Sequence, residues 1–278
     1  MDAHQHFIFP SRVHYPWLED PALAPLRRDF TPEDLRPLLK QCGVDRTIVV
    51  QARSSLEETH ELLQIAATTD YVVGVVGWVN LRDPGVGRVL DELRALPEGS
   101  YLVGIRHQVH DEPDPDWLLL PKVARGLAAL EERGLVYDLL VRTRELPAAL
   151  ACVQNFPGLR FVLDHLAKPN IAQGQWDDWL RALEPLAVQP NVWVKLSGLV
   201  TEAHWKDWRP EDLAPYIHQA LELFGSSRCM FGSDWPVCTL AAGYAQVKEA
   251  LEQALGQPDP AILGKNALQV YSIRAQSP

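Results

Sequence analysis

Histidine occupies positions 4 and 6 in the opening segment Met1-Asp2-Ala3-His4-Gln5-His6. Side chains two apart on a strand leave it on the same face, so these two imidazoles converge. Such a pair can bind a divalent ion or polarise a carbonyl, and Asp2, on the same face, can support it from below. Far along the sequence, Asp234 follows the apolar run Cys229-Met230-Phe231 and the turn Gly232-Ser233. A carboxylate there can ligate a metal, deprotonate a water, or do both; it can equally be a turn residue or a helix N-cap. His165 ends Phe161-Val162-Leu163-Asp164, either offering one ring nitrogen to a substrate or resting as a hydrogen-bonded core histidine. Lys195 continues Val192-Trp193-Val194; buried, it must be a site cation or half of a salt bridge. Arg53 and Arg106 present planar forks suited to carboxylate or carbonyl oxygen, unless rim acids such as Asp111 or Glu112 engage them. Trp17, Trp78, Trp205, Trp208, Trp235 and Tyr137 offer rings for a pocket around a cyclic substrate. Of these, Trp78, Tyr137 and Trp235 are assigned to substrate binding, together with Arg53 and Lys195.

These residues share one kind of place in the sequence. Short β-type runs are expected at 1–8, 46–52, 71–79, 102–109, 135–142, 160–166, 191–197 and 228–233, and the polar residues fall at their C-terminal ends. Helical periodicity lies between them, at 31–41, 56–68, 84–96, 116–133, 144–154, 175–187, 211–224 and 239–255, with a last segment at 259–270. Alternating strands and helices predict a parallel sheet covered by helices, and doubly apolar runs such as Ile48-Val49-Val50 agree. Eight strands in about 250 residues predict a closed barrel, so the fold class is α/β, a single (β/α)8 TIM barrel spanning 1–278. In such barrels the reacting groups sit at the C-terminal ends of the strands. No glycine-rich phosphate loop follows the first strand, which weakens a dinucleotide-binding alternative. Residues 10–25 and 198–210 read as long loops after strands one and seven.

Composition narrows the partners. The 278 residues carry a net charge of −10 with no lysine- or arginine-rich block, which argues against nucleic acid and anionic membranes. No apolar run approaches a membrane span, and no basic segment followed by an apolar core opens the sequence, so a cytoplasmic protein is expected. Cys42, Cys152, Cys229 and Cys238 show no C-x-x-C spacing and read as reduced thiols. Homo-oligomerisation is left open.

Five segments carry a resemblance. They are Asp2-Ala3-His4-Gln5-His6-Phe7, Gly104-Ile105-Arg106-His107-Gln108-Val109, Phe161 through Pro169, Val194 through Leu199, and Met230-Phe231-Gly232-Ser233-Asp234-Trp235-Pro236. Together they resemble the TIM-barrel metal-dependent hydrolases of the amidohydrolase superfamily, in the branch of sugar-lactone and pyrone-dicarboxylate lactonases. Within it the sequence is most similar to L-fuconolactonase and L-rhamnonolactonase enzymes. The resemblance implies that His4, His6 and Asp234 are the metal-site or polarising positions, with Asp234 also the base that activates water. It implies catalytic roles for His165 and for Arg106 near the substrate carbonyl or carboxylate. Strand four offers Arg106 where binuclear relatives have a carboxylated lysine or glutamate, and strand five, Val136-Tyr137-Asp138-Leu139-Leu140-Val141, lacks their histidine. A guanidinium cannot ligate a metal, so the expectation is one divalent ion, zinc, or none. The implied activity is hydrolysis of a sugar lactone to the free acid. A decarboxylase or amide hydrolase on the same barrel, or a non-catalytic sugar-acid binder, are the alternatives.

Overall fold

The computed structural model describes residues 1–273. Eight strands form one sheet in sequence order: β1 Asp2–Gln5, β2 Thr47–Val50, β3 Val72–Gly77, β4 Leu102–Gln108, β5 Val136–Leu140, β6 Phe161–Leu163, β7 Val192–Leu196 and β8 Cys229–Phe231. Every neighbouring pair is parallel. β8 meets β1 just past its end: the Asp234 amide donates to the His4 carbonyl at 2.8 Å and the His6 amide to the Trp235 carbonyl at 2.7 Å. The outer ring comprises α1 Pro32–Gln41, α2 Leu56–Thr68, α3 Val86–Ala95, α4 Pro121–Glu132, α5 Leu146–Asn155, α6 Asp177–Ala187, the short α7 Leu199–Glu202, α8 Pro210–Phe224 and α9 Tyr244–Leu255. The protein is a (β/α)8 TIM barrel, as the alternating pattern predicts.

Two apolar layers hold it. The larger lies between strands and helices and includes Val49, Val75, Ile105, Tyr137, Leu139, Phe161 and Leu163. The smaller fills the lower barrel with Ile48, Val50, Val76, Val136, Val162 and Met230. Its base is closed by α10, Asn266–Val270, and the following Tyr271. The Met1 ammonium donates to the Leu263 carbonyl at 2.7 Å, which fixes this closing segment at the N-terminal end of β1.

Several boundaries differ from the periodicity. The expected helix 116–133 is broken because Pro121 forces Leu120 into an extended conformation (φ −59°, ψ 131°), leaving a 3-10 turn at Trp117–Leu119 ahead of α4. The expected helix 239–255 is likewise split, with a 3-10 turn at Val237–Leu240 and α9 starting after the extended Gly243. The loop 10–25 contains two 3-10 turns, Pro16–Glu19 and Pro21–Leu26. Loop 198–210 contains α7. All four cysteines are free. Among the described residues no helix is long and apolar enough to cross a membrane.

Candidate active site

The strands' inward positions turn polar just above the apolar lower layer. His4 and His6 rise from β1, Arg106 from β4, Asp138 from β5, Asp164 and His165 from the end of β6, Lys195 from β7 and Asp234 after β8; all are buried. Arg106 and Asp138 stand in register on neighbouring strands and face the same interior.

At the centre, His4 Nε2 and His6 Nε2 are 3.1 Å apart. Asp234 Oδ1 lies 3.3 Å from His6 Nε2, 3.7 Å from His4 Nε2 and 3.9 Å from His165 Nε2. His6 Nδ1 faces the Val50 carbonyl at 2.7 Å; that oxygen only accepts, so Nδ1 carries the proton and Nε2 is turned to the centre. The Ser197 hydroxyl sits 2.8 Å from His165 Nδ1 and fixes that ring with Nε2 toward Asp234. Burial, with the Asp234 charge opposing it, keeps His165 well below its usual pKa and therefore neutral. Burial does the same to His4. Asp234 is pushed up by burial, but His165 and His6 outweigh that, and it stays an ionised carboxylate below the usual range.

Beneath the centre runs an ion network with no water-exposed member. Lys195 Nζ lies 2.5 Å from Asp138 Oδ2, 3.0 Å from Asp164 Oδ1 and 3.2 Å from His4 Nδ1. Arg106 Nη1 is 3.0 Å from Asp164 Oδ2 and 3.3 Å from His4 Nε2, while its Nη2 donates to the Gln51 carbonyl. Asp164 is thus ionised: burial raises its pKa, but Lys195, His4 and Arg106 hold it well below the ordinary carboxylate range. Asp138, with Lys195 alone for a cation, is raised by burial to about 6. The Tyr271 hydroxyl donates to both its oxygens at 2.8 Å, so the base plug reaches the network. Asp2 sits beside it, accepting from the amides of His4 and Ser233 and from the Tyr244 hydroxyl.

Two sets of three donors lie within 4.8 Å of one another: His4, His6 and Asp234, and His4, Asp164 and His165. In the second set Lys195 and Arg106 already neutralise Asp164, so an incoming cation would meet two others. The first set fits one divalent ion if Arg106 Nη1, 3.3 Å from His4 Nε2, gives up that contact. Its imidazole nitrogens and carboxylate oxygen face each other at 3.1–3.7 Å, so a shared proton or a cation must sit among them. Ligands about 2.0–2.1 Å from a tetrahedral zinc would stand about 3.3 Å apart, which is this spacing.

Local backbone explains the placement. His165, Leu166, Ala167 and Lys168 all have φ between 51° and 58°, a left-handed turn that L-residues disfavour. It is held by the Trp179 indole donating to the Leu166 carbonyl at 2.7 Å and by full burial of Leu166 and Ala167. Asp234 is also left-handed, at φ 57°, and is followed by a cis Trp235–Pro236 bond. Gly198 (φ 65°) passes so close under His165 that a Cβ would lie 2.6 Å from Nδ1.

A cavity of about 310 Å³ opens above the centre. His6, Arg106, His165 and Asp234 form part of its wall, with Trp17, Leu23, Trp205 and Leu240 supplying apolar surface. The residues assigned to substrate binding do not line it. Tyr137 lies on the opposite face of β5 from Asp138, fully buried against Phe161. Trp78 donates its indole N–H to His107 Nδ1 at 3.0 Å, alongside the His107–Trp117 stack. Trp235 is enclosed edge-on between Phe7 and Phe30. Lys195 faces inward but one layer too low, sealed by its acids. Arg53 is half-buried, its guanidinium 5.9 Å from the Tyr15 ring centre. Sequence reasoning missed Arg142, Lys168 and Glu202, which do line the cavity. The one available signal was Lys168, three residues beyond His165 in the same motif.

Known proteins resemble this chain over most of its length. A family profile described as amidohydrolase matches residues 1–273. An L-fucono-1,5-lactonase of Burkholderia ambifaria is 40% identical over 284 residues, covering 98% of this chain and 95% of that protein. An L-fucono-1,5-lactonase of Burkholderia multivorans is 41% identical, covering 91% of this chain and 87% of that one. A crystal structure of a Burkholderia multivorans amidohydrolase with bound zinc superposes with a TM-score of 0.92 at 36% identity, covering 98% of this chain and 99% of that chain. With its whole described length matched, the chain belongs to the amidohydrolase family, on its sugar-lactonase branch.

Proposed function

We propose that this protein hydrolyses a small sugar lactone to the free sugar acid, with Asp234 activating the attacking water. The observation that carries the reading is the convergence of His6, an ionised Asp234 and a neutral His165 on the floor of one ligand-sized cavity. The L-fucono-1,5-lactonase relatives support the substrate class.

Asp234 Oδ1 orients the water and takes its proton as the oxygen attacks the lactone carbonyl. His165, with Nδ1 accepting from the Ser197 hydroxyl, carries its proton on Nε2 and donates it as a hydrogen bond to the developing oxyanion. Arg106 commits its Nη atoms to Asp164, His4 and the Gln51 carbonyl, and from the cavity wall its positive charge favours the same developing oxyanion. When the tetrahedral intermediate collapses, the ring C–O bond breaks and the Asp234 carboxyl returns its proton to the departing alkoxide. Alkoxide leaves more readily than an amide nitrogen, so this modest set is enough. A divalent ion held by His4, His6 and Asp234 would add Lewis acidity at the lactone carbonyl.

Each turnover releases one proton, so a pH-stat with a panel of aldonolactones tests the reading. The expected result is stoichiometric acid from at least one lactone, and in Asp234→Asn a rate lower by roughly 10²–10⁴-fold with the fold intact. No acid from any lactone rejects the activity. An unimpaired Asp234→Asn enzyme rejects Asp234 as the base.

A further inference from the structure

Three consecutive strand–helix connections place charged side chains in the wall of the cavity. Arg142 follows β5, Lys168 closes the left-handed turn after β6, and Glu202 ends α7. Lys168 Nζ donates to Glu202 Oε1 at 2.8 Å, and Arg142 Nη1 to Glu202 Oε2 at 3.2 Å. Each carboxylate oxygen has accepted one bond and keeps a lone pair, and the ammonium keeps two N–H groups. None of these side chains is hydrogen-bonded to His4, His6 or Asp234, although the Lys168 charge acts on Asp234 and His165 across the cavity wall. Asp111 lines the same wall, close enough for Arg142 and Lys168 both to act on it. Two cations therefore balance two acids. His110 joins them as a neutral imidazole, because burial and the neighbouring Lys168 and Arg142 push its pKa down to about 3.

A hydroxyl group both donates and accepts. A ring hydroxyl in this corner can accept from Lys168 and donate to Glu202, and its neighbour on the ring can repeat the pattern with Arg142 and the second carboxylate oxygen. A carboxylate only accepts. It would have to approach Lys168 beside an acid that already holds that ammonium at 2.8 Å.

We propose that Arg142, Lys168 and Glu202 form a subsite that reads adjacent hydroxyls on the lactone ring. This rests on the lactonase reading and assigns the three residues to specificity, not to the chemical step.

The test compares an aldono-1,5-lactone with δ-valerolactone, the same six-membered ring without hydroxyls. In Glu202→Gln, kcat/KM for the aldonolactone should fall by roughly 10–100-fold, the loss expected for bonds to charged groups, with the change mainly in KM. For δ-valerolactone it should stay within about twofold. Equal losses for both lactones, or unchanged aldonolactone kinetics, overturn the subsite. Arg142→Gln, at a half-exposed position that tolerates change, supplies the same comparison if Glu202→Gln does not fold. A parallel arm measures aldonolactone binding by calorimetry in Asp234→Asn with and without Glu202→Gln. Binding that depends on Glu202 in a protein that hydrolyses no lactone would sink the lactonase reading and leave the subsite standing. Lactone hydrolysis with no dependence on ring hydroxyls would do the reverse.

Discussion

Replacing Lys195 with methionine should be among the most damaging single changes to this barrel. Lys195 is fully buried and holds Asp138 at 2.5 Å and Asp164 at 3.0 Å. Methionine fills the volume but removes the charge. Asp164 keeps the Arg106 guanidinium at 3.0 Å, so Asp138 becomes the buried carboxylate with no cation. Breaking a buried pair on one side costs about 3–5 kcal/mol, against a total stability of about 5–15 kcal/mol. Asp138 already sits at about 6 with Lys195 present, and losing the lysine moves it further up. A carboxyl raised above its unfolded value stabilises fully below that value, and the contribution is lost as pH rises through the folded pKa. The wild-type advantage over Lys195→Met should therefore be small at pH 5 and grow by up to about 1.4 kcal/mol per pH unit above 6, reaching about 2–3 kcal/mol at pH 8. Urea unfolding followed by tryptophan fluorescence at both pH values measures the gap. Adding Asp138→Asn should recover most of it, because an amide oxygen still accepts from Tyr271 without carrying charge. A gap below about 1 kcal/mol at pH 8, an equal gap at both pH values, or no recovery in the double variant would refute the reasoning.

Gly198→Ala should cost about 2–5 kcal/mol and at least tenfold in kcat. It pairs a left-handed backbone with a Cβ 2.6 Å from His165 Nδ1, and the check is thermal unfolding beside lactone kinetics. Tyr137→Phe should leave kinetics unchanged and stabilise by about 1 kcal/mol, since the buried Tyr137 hydroxyl has no partner among the described residues; a fall in kcat/KM would return Tyr137 to the site. Glu58 caps the β2–α2 loop by accepting from the Ala52 and Arg53 amides, and burial raises its pKa to about 7. Its stabilisation is complete below the unfolded carboxylate value and fades as pH passes 7, so Glu58→Gln should gain on wild type by up to about 3 kcal/mol between pH 4.5 and 8. Denaturant midpoints of the two proteins across that range give the difference directly.

The barrel was legible because most strands announce themselves twice, by an apolar run buried on both faces and by a polar residue at the far end. Ile48-Val49-Val50 and Phe161-Val162-Leu163 could hardly be anything but inner strands. His4 and His6 were legible as a pair on the first strand, and His165 and Asp234 as polar residues just past the sixth and eighth, although the left-handed turns that bring those last two inward leave no pattern in the sequence. Tyr137 failed on parity: its neighbour Asp138 takes the inward position opposite Arg106, and an aromatic ring was credited over the alternation that decides direction. Lys195 had the right parity and the wrong height, because periodicity says which face a residue takes but not how deep in the barrel it lies. Arg142, Lys168 and Glu202 belong to three separate loops, and no local pattern reveals that loops distant in sequence share a wall. The break at Leu120-Pro121 was readable in principle, as proline always constrains its predecessor.

Closure of β8 onto β1 has a consequence for the order of events during synthesis. A nascent chain that has emerged through β7 carries His4, His6 and Arg106 but not Asp234, and the interior it leaves open lacks Met230 and Tyr271. A chain ending before β8 cannot make the water-activating set, since His4 and His6 come from the first strand and Asp234 follows the eighth. Contacts spanning more than two hundred residues are slow to form, so an exposed half-barrel must persist until the final strand docks. The first appearance of lactone hydrolysis in a translation reaction would thus time the completion of the ring.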